Sequence, residues 1–343
     1  MSNKNELYEA NAKLGIKEDM DNPKNRTLVF VYTYAKTGST ALVSSIRLSC
    51  FENITVIHIH NDNMLRHMYN IDNCTLSDII EFNRSLKKNV YVFDIFRHPV
   101  EHKMSLFFDI LDTFHFNVNT SDIHTLTVEK IIKRFNNIYP HIIIPDYFES
   151  VYNFEDKSLS EEPFDHEKGY LHLVDSNGIN YIKLRLMDAE TTWSSILSEI
   201  FAHPSWIVKD NVTGISKPPM HILYQQFKDT YRLPNNYFED LENNNMKLNK
   251  YLTLVEKESY LNKWKMLTDT DKIVKPFTSE EYKLYIEISK ENKHLSQFKE
   301  NHYIDNGCDC NECKTKRNHT RKQLYDKVVN KVVKQRSFSL MFI

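Results

Sequence analysis

Thr27-Leu-Val-Phe-Val-Tyr-Thr-Tyr-Ala-Lys-Thr-Gly-Ser-Thr-Ala-Leu-Val-Ser-Ser-Ile-Arg-Leu48 is the stretch that decides the fold. Its first seven residues are β-branched, aromatic or aliphatic and apolar on both faces, as in a strand buried inside a parallel sheet. The segment from Ala41 to Leu48 has the spacing of an amphipathic helix. Between them lies a short Lys/Gly/Ser/Thr turn. Strand, glycine-containing turn and helix make the first half of a βαβ unit.

Working outward, the same alternation returns. A second strand is expected at Ile54–His60, a helix near Leu76 to Leu86, and a third strand at Val90–Phe96. Pro99 suits the first turn of the next helix, which runs through Ser105 to Leu111. A helix near Val128 to Asn137, a strand near Asn180 to Leu186 and a helix near Thr191 to Phe201 follow. Repeated βα alternation predicts an α/β fold with a central, mostly parallel sheet flanked by helices. Residues 140–180 are irregular and fit a hairpin insertion. Helices are expected from His221 to Thr230, from Asn235 to Lys250 and within 250–300. The division expected is a loose lead-in over 1–26, an α/β domain over 27–300, and a basic, Cys-containing tail over 301–343. No internal repeat is present.

The chain has 343 residues, 41% of them hydrophobic and 26% charged, ordinary values for a globular protein. A net charge of −2 argues against nucleic acid as a partner, since such proteins rely on a positive field. No apolar run reaches the ~20 residues that span a bilayer, and the polar start of the chain is unlike a secretory signal. Five cysteines in so long a chain make no disulfide framework, so a cytoplasmic, reducing compartment is expected.

The turn after the first strand has the equipment to grip a phosphate. In open α/β sheets ligands bind at the carboxyl ends of strands. Gly38 lets the backbone approach a ligand closely. The amides of Gly38, Ser39, Thr40 and Ala41 can point at an anion across a helix N-terminus. Lys36 adds a mobile charge, and Thr37, Ser39 and Thr40 add hydroxyls. It is not a Walker A loop, in which the lysine follows the second glycine; here Lys36 precedes Gly38. The third strand ends at Arg97, and Ser105 lies eight residues on, so both can address a second phosphate.

These two motifs, in this order and each after a strand, resemble the sulfotransferases that use 3'-phosphoadenosine 5'-phosphosulfate (PAPS). In that family a Lys-x-Gly-Ser/Thr-Thr-like loop grips the 5'-phosphosulfate, and an Arg and a Ser eight residues apart grip the 3'-phosphate. Arg97-His-Pro-Val-Glu101 is closer to the carbohydrate and capsular-polysaccharide members than to the small-molecule ones. Tyr181–Leu186 resembles the family strand before the helix carrying Trp193, and Lys209-Asp-Asn-Val-Thr213 resembles its Asn-rich loop. The carbohydrate members usually carry a signal anchor, and the polar start of this sequence gives no expectation of one.

The resemblance implies a P-loop-like sulfotransferase fold, PAPS as co-substrate without a metal, and a glycan or other hydroxyl- or amine-bearing acceptor. By analogy with phosphoryl transfer, Lys36 would stabilise charge on the leaving phosphate. His60 is the expected general base, because it ends the second strand on the same sheet edge as the loop. His58 shares its side but lies deeper, and Glu101 and His102 compete for the role. A kinase-like enzyme would need a metal-binding acid at a strand end, where Asp94 is nearest but lies inside its strand. A third alternative is a non-catalytic glycan-binding protein. Cys308, Cys310 and Cys313, with His319, have zinc-ligand types but no zinc spacing. Lys314–Lys322 reads as a solvated basic face, and the tryptophans read as core or hinge residues.

Overall fold

Five of the six residues of β1 (Thr27–Tyr32) are buried, and their alternation splits the interior into two halves. Leu28, Phe30 and Tyr32 join one apolar cluster, while Val29 and Val31 join another on the opposite face. The computed structural model describes residues 3–50, 53–116, 120–152, 154, 156–209, 218–244 and 246–291. β1 pairs in parallel with β2 (Thr55–Ile59) on one side and β3 (Asn89–Phe96) on the other. β3 in turn pairs in parallel with β5 (Asn180–Arg185), and β4 (Leu171–Val174) closes that edge antiparallel to β5. The order is β2-β1-β3-β5-β4. The mostly parallel sheet is as expected. β4 alternates buried and exposed residues, as a strand wet on one face must. The expected insertion is thus partly a hairpin whose second arm is β5 itself.

Parallel strands require crossovers, and helices supply them on both faces. α1 (Lys4–Lys13) and α2 (Pro23–Arg26) precede β1, and the crossovers begin with α3 (Ser39–Cys50), α4 (Asp62–Tyr69) and α5 (Leu76–Ser85). After β3 come α6 (Pro99–Asp109), a π-helical turn (Leu111–Phe116), α7 (Val128–Ile138) and α8 (Tyr147–Ser150). α9 (Trp193–Phe201) follows β5. Leu42, Val43 and Ile46 of α3 and Trp193, Ile196 and Leu197 of α9 cover the Val29 and Val31 face. Beyond it lie α10 (Pro218–Thr230), α11 (Asn235–Asn244), α12 (Met246–Tyr251), α13 (Leu254–Met266) and α14 (Ser279–Glu291). α10 to α13 add Phe227, Phe238, Tyr251 and Trp264 to the larger cluster. A two-residue pair, β6 (Leu233–Pro234) and β7 (Thr268–Asp269), ties this part together. Trp193 and Trp264 are core residues, whereas Trp206 is 41% exposed.

The start of the chain corrects the expectation of a loose lead-in. α1 carries a full capping box at Asn3 and Glu6, and Leu7, Ala10, Leu14 and Ile16 sit in the larger cluster. Asn11 and Asn83 of α5 exchange two amide hydrogen bonds, 3.1 and 2.7 Å long, in the interior. The buried Lys88 donates to the carbonyls of Lys17 and Asn25 at 2.6 and 2.7 Å, which fastens the segment between α1 and β1. Burial pulls the pKa of this ammonium down, and Glu18 opposes the shift.

Among the described residues no helix is long and apolar enough to cross a membrane. Cys308, Cys310, Cys313, His319, the basic run at 314–322 and the whole 301–343 tail lie outside the described residues, as do 210–213 of the Asn-rich stretch.

Candidate phosphate-binding site

The turn between β1 and α3 has an unusual hydrogen-bond pattern: four successive carbonyls are each taken by a side chain. His60 Nδ1 donates to Thr33 O at 2.7 Å, and Thr37 Oγ1 donates to Tyr34 O at 3.0 Å. His102 Nε2 donates to Ala35 O at 2.7 Å, and Arg97 donates to Lys36 O at 2.5 Å. A carbonyl can only accept, so these contacts fix which ring nitrogen of each histidine carries its proton. Lys36 has φ +66° and Gly38 φ +90°, and neither Ala35, Thr37 nor Ser39 has positive φ. Alternating signs of this kind make a concave nest of N–H groups suited to an anion. The first bond of α3 runs from Leu42 N to Gly38 O at 3.2 Å. The amides of Ser39, Thr40 and Ala41 therefore have no partner within the helix. A non-glycine residue at φ +66° stores about 1–2 kcal/mol of strain.

Gly38 also has a close neighbour within the fold. A Cβ there would lie 2.5 Å from Leu186 Cδ1, just after β5. The close neighbour is thus a partly buried side chain packed against the α3 and α9 face.

α6 faces the loop along one line. His102, Ser105 and Asp109 follow at steps of three and four, the spacing of one helix face. His102 reaches Ala35, and Asp109 Oδ1 accepts from Lys36 Nζ at 2.9 Å. Ser105 sits half-buried between them. Arg97, at the end of β3, contacts the loop through Lys36 O and bonds Tyr224 of α10. Burial lowers its pKa, and Tyr224 and Glu101 oppose the shift. The structure thus brings Arg97 and His60 onto the turn that contains Lys36, Thr37, Gly38, Ser39, Thr40 and Ala41, and Ser105 lies on α6 between the two residues that reach it. Thr37 and Ser39 are buried, and the Thr37 hydroxyl points back to Tyr34 O and Thr33 Oγ1.

Behind the loop lies a buried ionic chain that the sequence reading missed. Thr33 Oγ1 donates to Asp94 Oδ1 at 2.6 Å, and Lys183 Nζ bonds Asp94 Oδ2 at 2.5 Å and Asp146 Oδ1 at 3.1 Å. Asp94 and Lys183 are register partners on β3 and β5. Burial alone would lower the Lys183 pKa, but the two carboxylates raise it overall. Burial likewise opposes ionisation of Asp146, and Lys183, Tyr251 and Lys250 together more than offset it. A cavity of about 20 Å³ is lined in part by residues of both, Tyr34 and Thr37 of the turn and Asp94, Asp146 and Lys183 of the ionic chain. It is sized for about one water and not for a nucleotide. The available signal was two opposite charges flanked by apolar residues, Asp94 between Phe93 and Ile95 and Lys183 between Ile182 and Leu184.

Of the four candidate bases, Glu101 accepts from Lys263 at 2.6 Å and from Tyr260 at 2.9 Å. The His102 ring is buried, with its pKa pushed down to about 3, and braces Ala35. His58 is 1% exposed and packs edge-on against His60. His60 is half-buried, with its backbone carbonyl bonded by the Tyr147 hydroxyl. Burial lowers its pKa; the Thr33 carbonyl and Asp109 oppose this, while Lys36 lowers it further. Its Nδ1 carries the proton, so Nε2 holds the lone pair.

No family model, no curated protein and no solved structure matches this chain.

Proposed function

We propose that the chain is a sulfotransferase with a P-loop-like fold, moving the sulfuryl group of PAPS to a hydroxyl or amine, with a glycan as the favoured acceptor. The observation that carries this reading is the meeting of two phosphate-type motifs, since Arg97 of the second donates to the Lys36 carbonyl of the first. A 3',5'-bisphosphate nucleotide needs two grips. The nest and the α3 amides suit the 5'-phosphosulfate, and Arg97 with Ser105 suits the 3'-phosphate.

In this scheme the acceptor oxygen attacks sulfur while the sulfur–oxygen bond to phosphate breaks. His60 Nε2 takes the acceptor proton, and Lys36 stabilises charge on the departing phosphate. The products are the sulfated acceptor and 3'-phosphoadenosine 5'-phosphate. Cysteine content favours a cytoplasmic setting. A kinase reading draws less support, because Asp94 is engaged by Lys183 and Thr33 and is not presented to a metal.

The test pairs thermal stabilisation by 3'-phosphoadenosine 5'-phosphate with transfer of labelled sulfate from PAPS to a panel of glycans. Stabilisation by the bisphosphate and labelled product are expected. Stronger stabilisation by ATP favours the kinase reading, and binding without transfer favours the glycan-binding one. No stabilisation by PAPS or its product removes the assignment.

A further inference from the structure

Asp109 is the last residue of α6, and its carboxylate holds Lys36 Nζ at 2.9 Å. Two physical effects disfavour a carboxylate at this position. It lies at the negative end of the helix dipole, in a last turn that has no basic residue. It also puts negative charge beside a turn built for a negative ligand. Little folding stability is gained in return, because Lys36 is 23% and Asp109 44% exposed, and such pairs are worth little. What the pair does control is the direction of the only lysine in the turn.

We propose that Asp109 is a positioning residue that latches Lys36, so that an anion at the α3 N-terminus must take the ammonium from this carboxylate. Anion affinity is then set by competition between Asp109 and the ligand. The inference rests on the anion-binding reading of the turn, but not on the anion being a nucleotide.

Titration calorimetry with inorganic pyrophosphate and with 3'-phosphoadenosine 5'-phosphate tests it in the wild type, Asp109→Asn, Lys36→Met and the double variant. Circular dichroism checks that all four are folded. Asp109→Asn is expected to bind pyrophosphate about fivefold more tightly. In the Lys36→Met background the same change should gain roughly twofold or less, since the effect acts through Lys36. Asp109→Glu should restore the wild-type value. Unchanged or weaker binding by Asp109→Asn overturns the latch, and so does an equal gain without Lys36.

The two readings fail separately. If pyrophosphate follows this pattern while the bisphosphate nucleotide does not bind, the latch stands and the PAPS assignment falls. If the nucleotide binds wild type and Asp109→Asn equally, the latch falls alone. If neither anion binds any of the four proteins, both fall.

Discussion

Replacing Gly38 by Ala tests the geometry of the turn through two separable effects. The backbone at this position has φ +90°, and a left-handed conformation costs an L-residue about 1–2 kcal/mol. The new Cβ would stand 2.5 Å from Leu186 Cδ1, which no real pair of carbons tolerates, so Leu186 must move. Overpacking of this kind costs about 1–3 kcal/mol. Leu186 is only partly buried against the α3 and α9 face and can yield somewhat. A combined loss of about 3 kcal/mol is therefore expected, or a fall of about 1 M in the urea midpoint. The buried Trp193 and Trp264 provide a fluorescence signal for the transition. Adding Leu186→Ala divides the effect, because it removes the clash and leaves the dihedral strain. The double variant should be more stable than the two single losses predict, by about 1 kcal/mol or more. A Gly38→Ala protein within about 0.5 kcal/mol of wild type would refute the reasoning. Purely additive losses would remove the Leu186 contact from the account.

Lys183→Met leaves Asp94 and Asp146 without their buried partner and should lower stability by about 3–5 kcal/mol. Adding Asp94→Asn and Asp146→Asn should recover much of that loss in thermal denaturation, and no recovery would disprove the ionic chain. Stability should also fall on acidification below the ordinary histidine value. His102 and His115 are pushed down to about 3 by burial, so they stay neutral when folded but bind protons when unfolded near pH 6.5. The unfolded state then holds more protons, and at pH 5.5 each group withdraws about 1.4 kcal/mol. Urea titrations at pH 7.5 and 5.5 measure this, and equal midpoints would contradict it. His60→Asn keeps a donor for Thr33 O but removes Nε2. Turnover should drop at least ~100-fold while 3'-phosphoadenosine 5'-phosphate still binds. Wild-type turnover should decline with acid only below the usual imidazole range, because burial lowers the His60 pKa. Near-normal turnover by the variant would clear His60 of the role.

The parallel strands were legible because burial on both faces leaves near-continuous apolar runs, as in Leu28–Tyr32 and Val90–Phe96. α6 was legible from Pro99, and the Arg97 to Ser105 spacing located its loop-facing side. α1 was less visible. Its apolar stripe is thin, and its packing depends on an amide pair between Asn11 and Asn83, 72 positions apart. α4 was also missed, a two-turn helix started by an Asn61 cap. The candidate site was legible in its residue types but not in their partners. Arg97 and His102 were read as groups facing a ligand or a proton, whereas both first hold loop carbonyls. Such contacts join residues 61 and 67 positions apart, a distance over which a hydrogen bond leaves no local pattern.

The four held carbonyls have a kinetic consequence. Each side chain that fixes a carbonyl removes a way for the turn to rearrange, so its conformational entropy is lost when the protein folds and not when a ligand arrives. If the turn takes an anion as proposed, its backbone needs no ordering on arrival, and only the Lys36 side chain has to leave Asp109. Association should then follow diffusion and charge steering, quickening as salt is lowered, with residence time set by the ligand's contacts against the pull of Asp109 on Lys36.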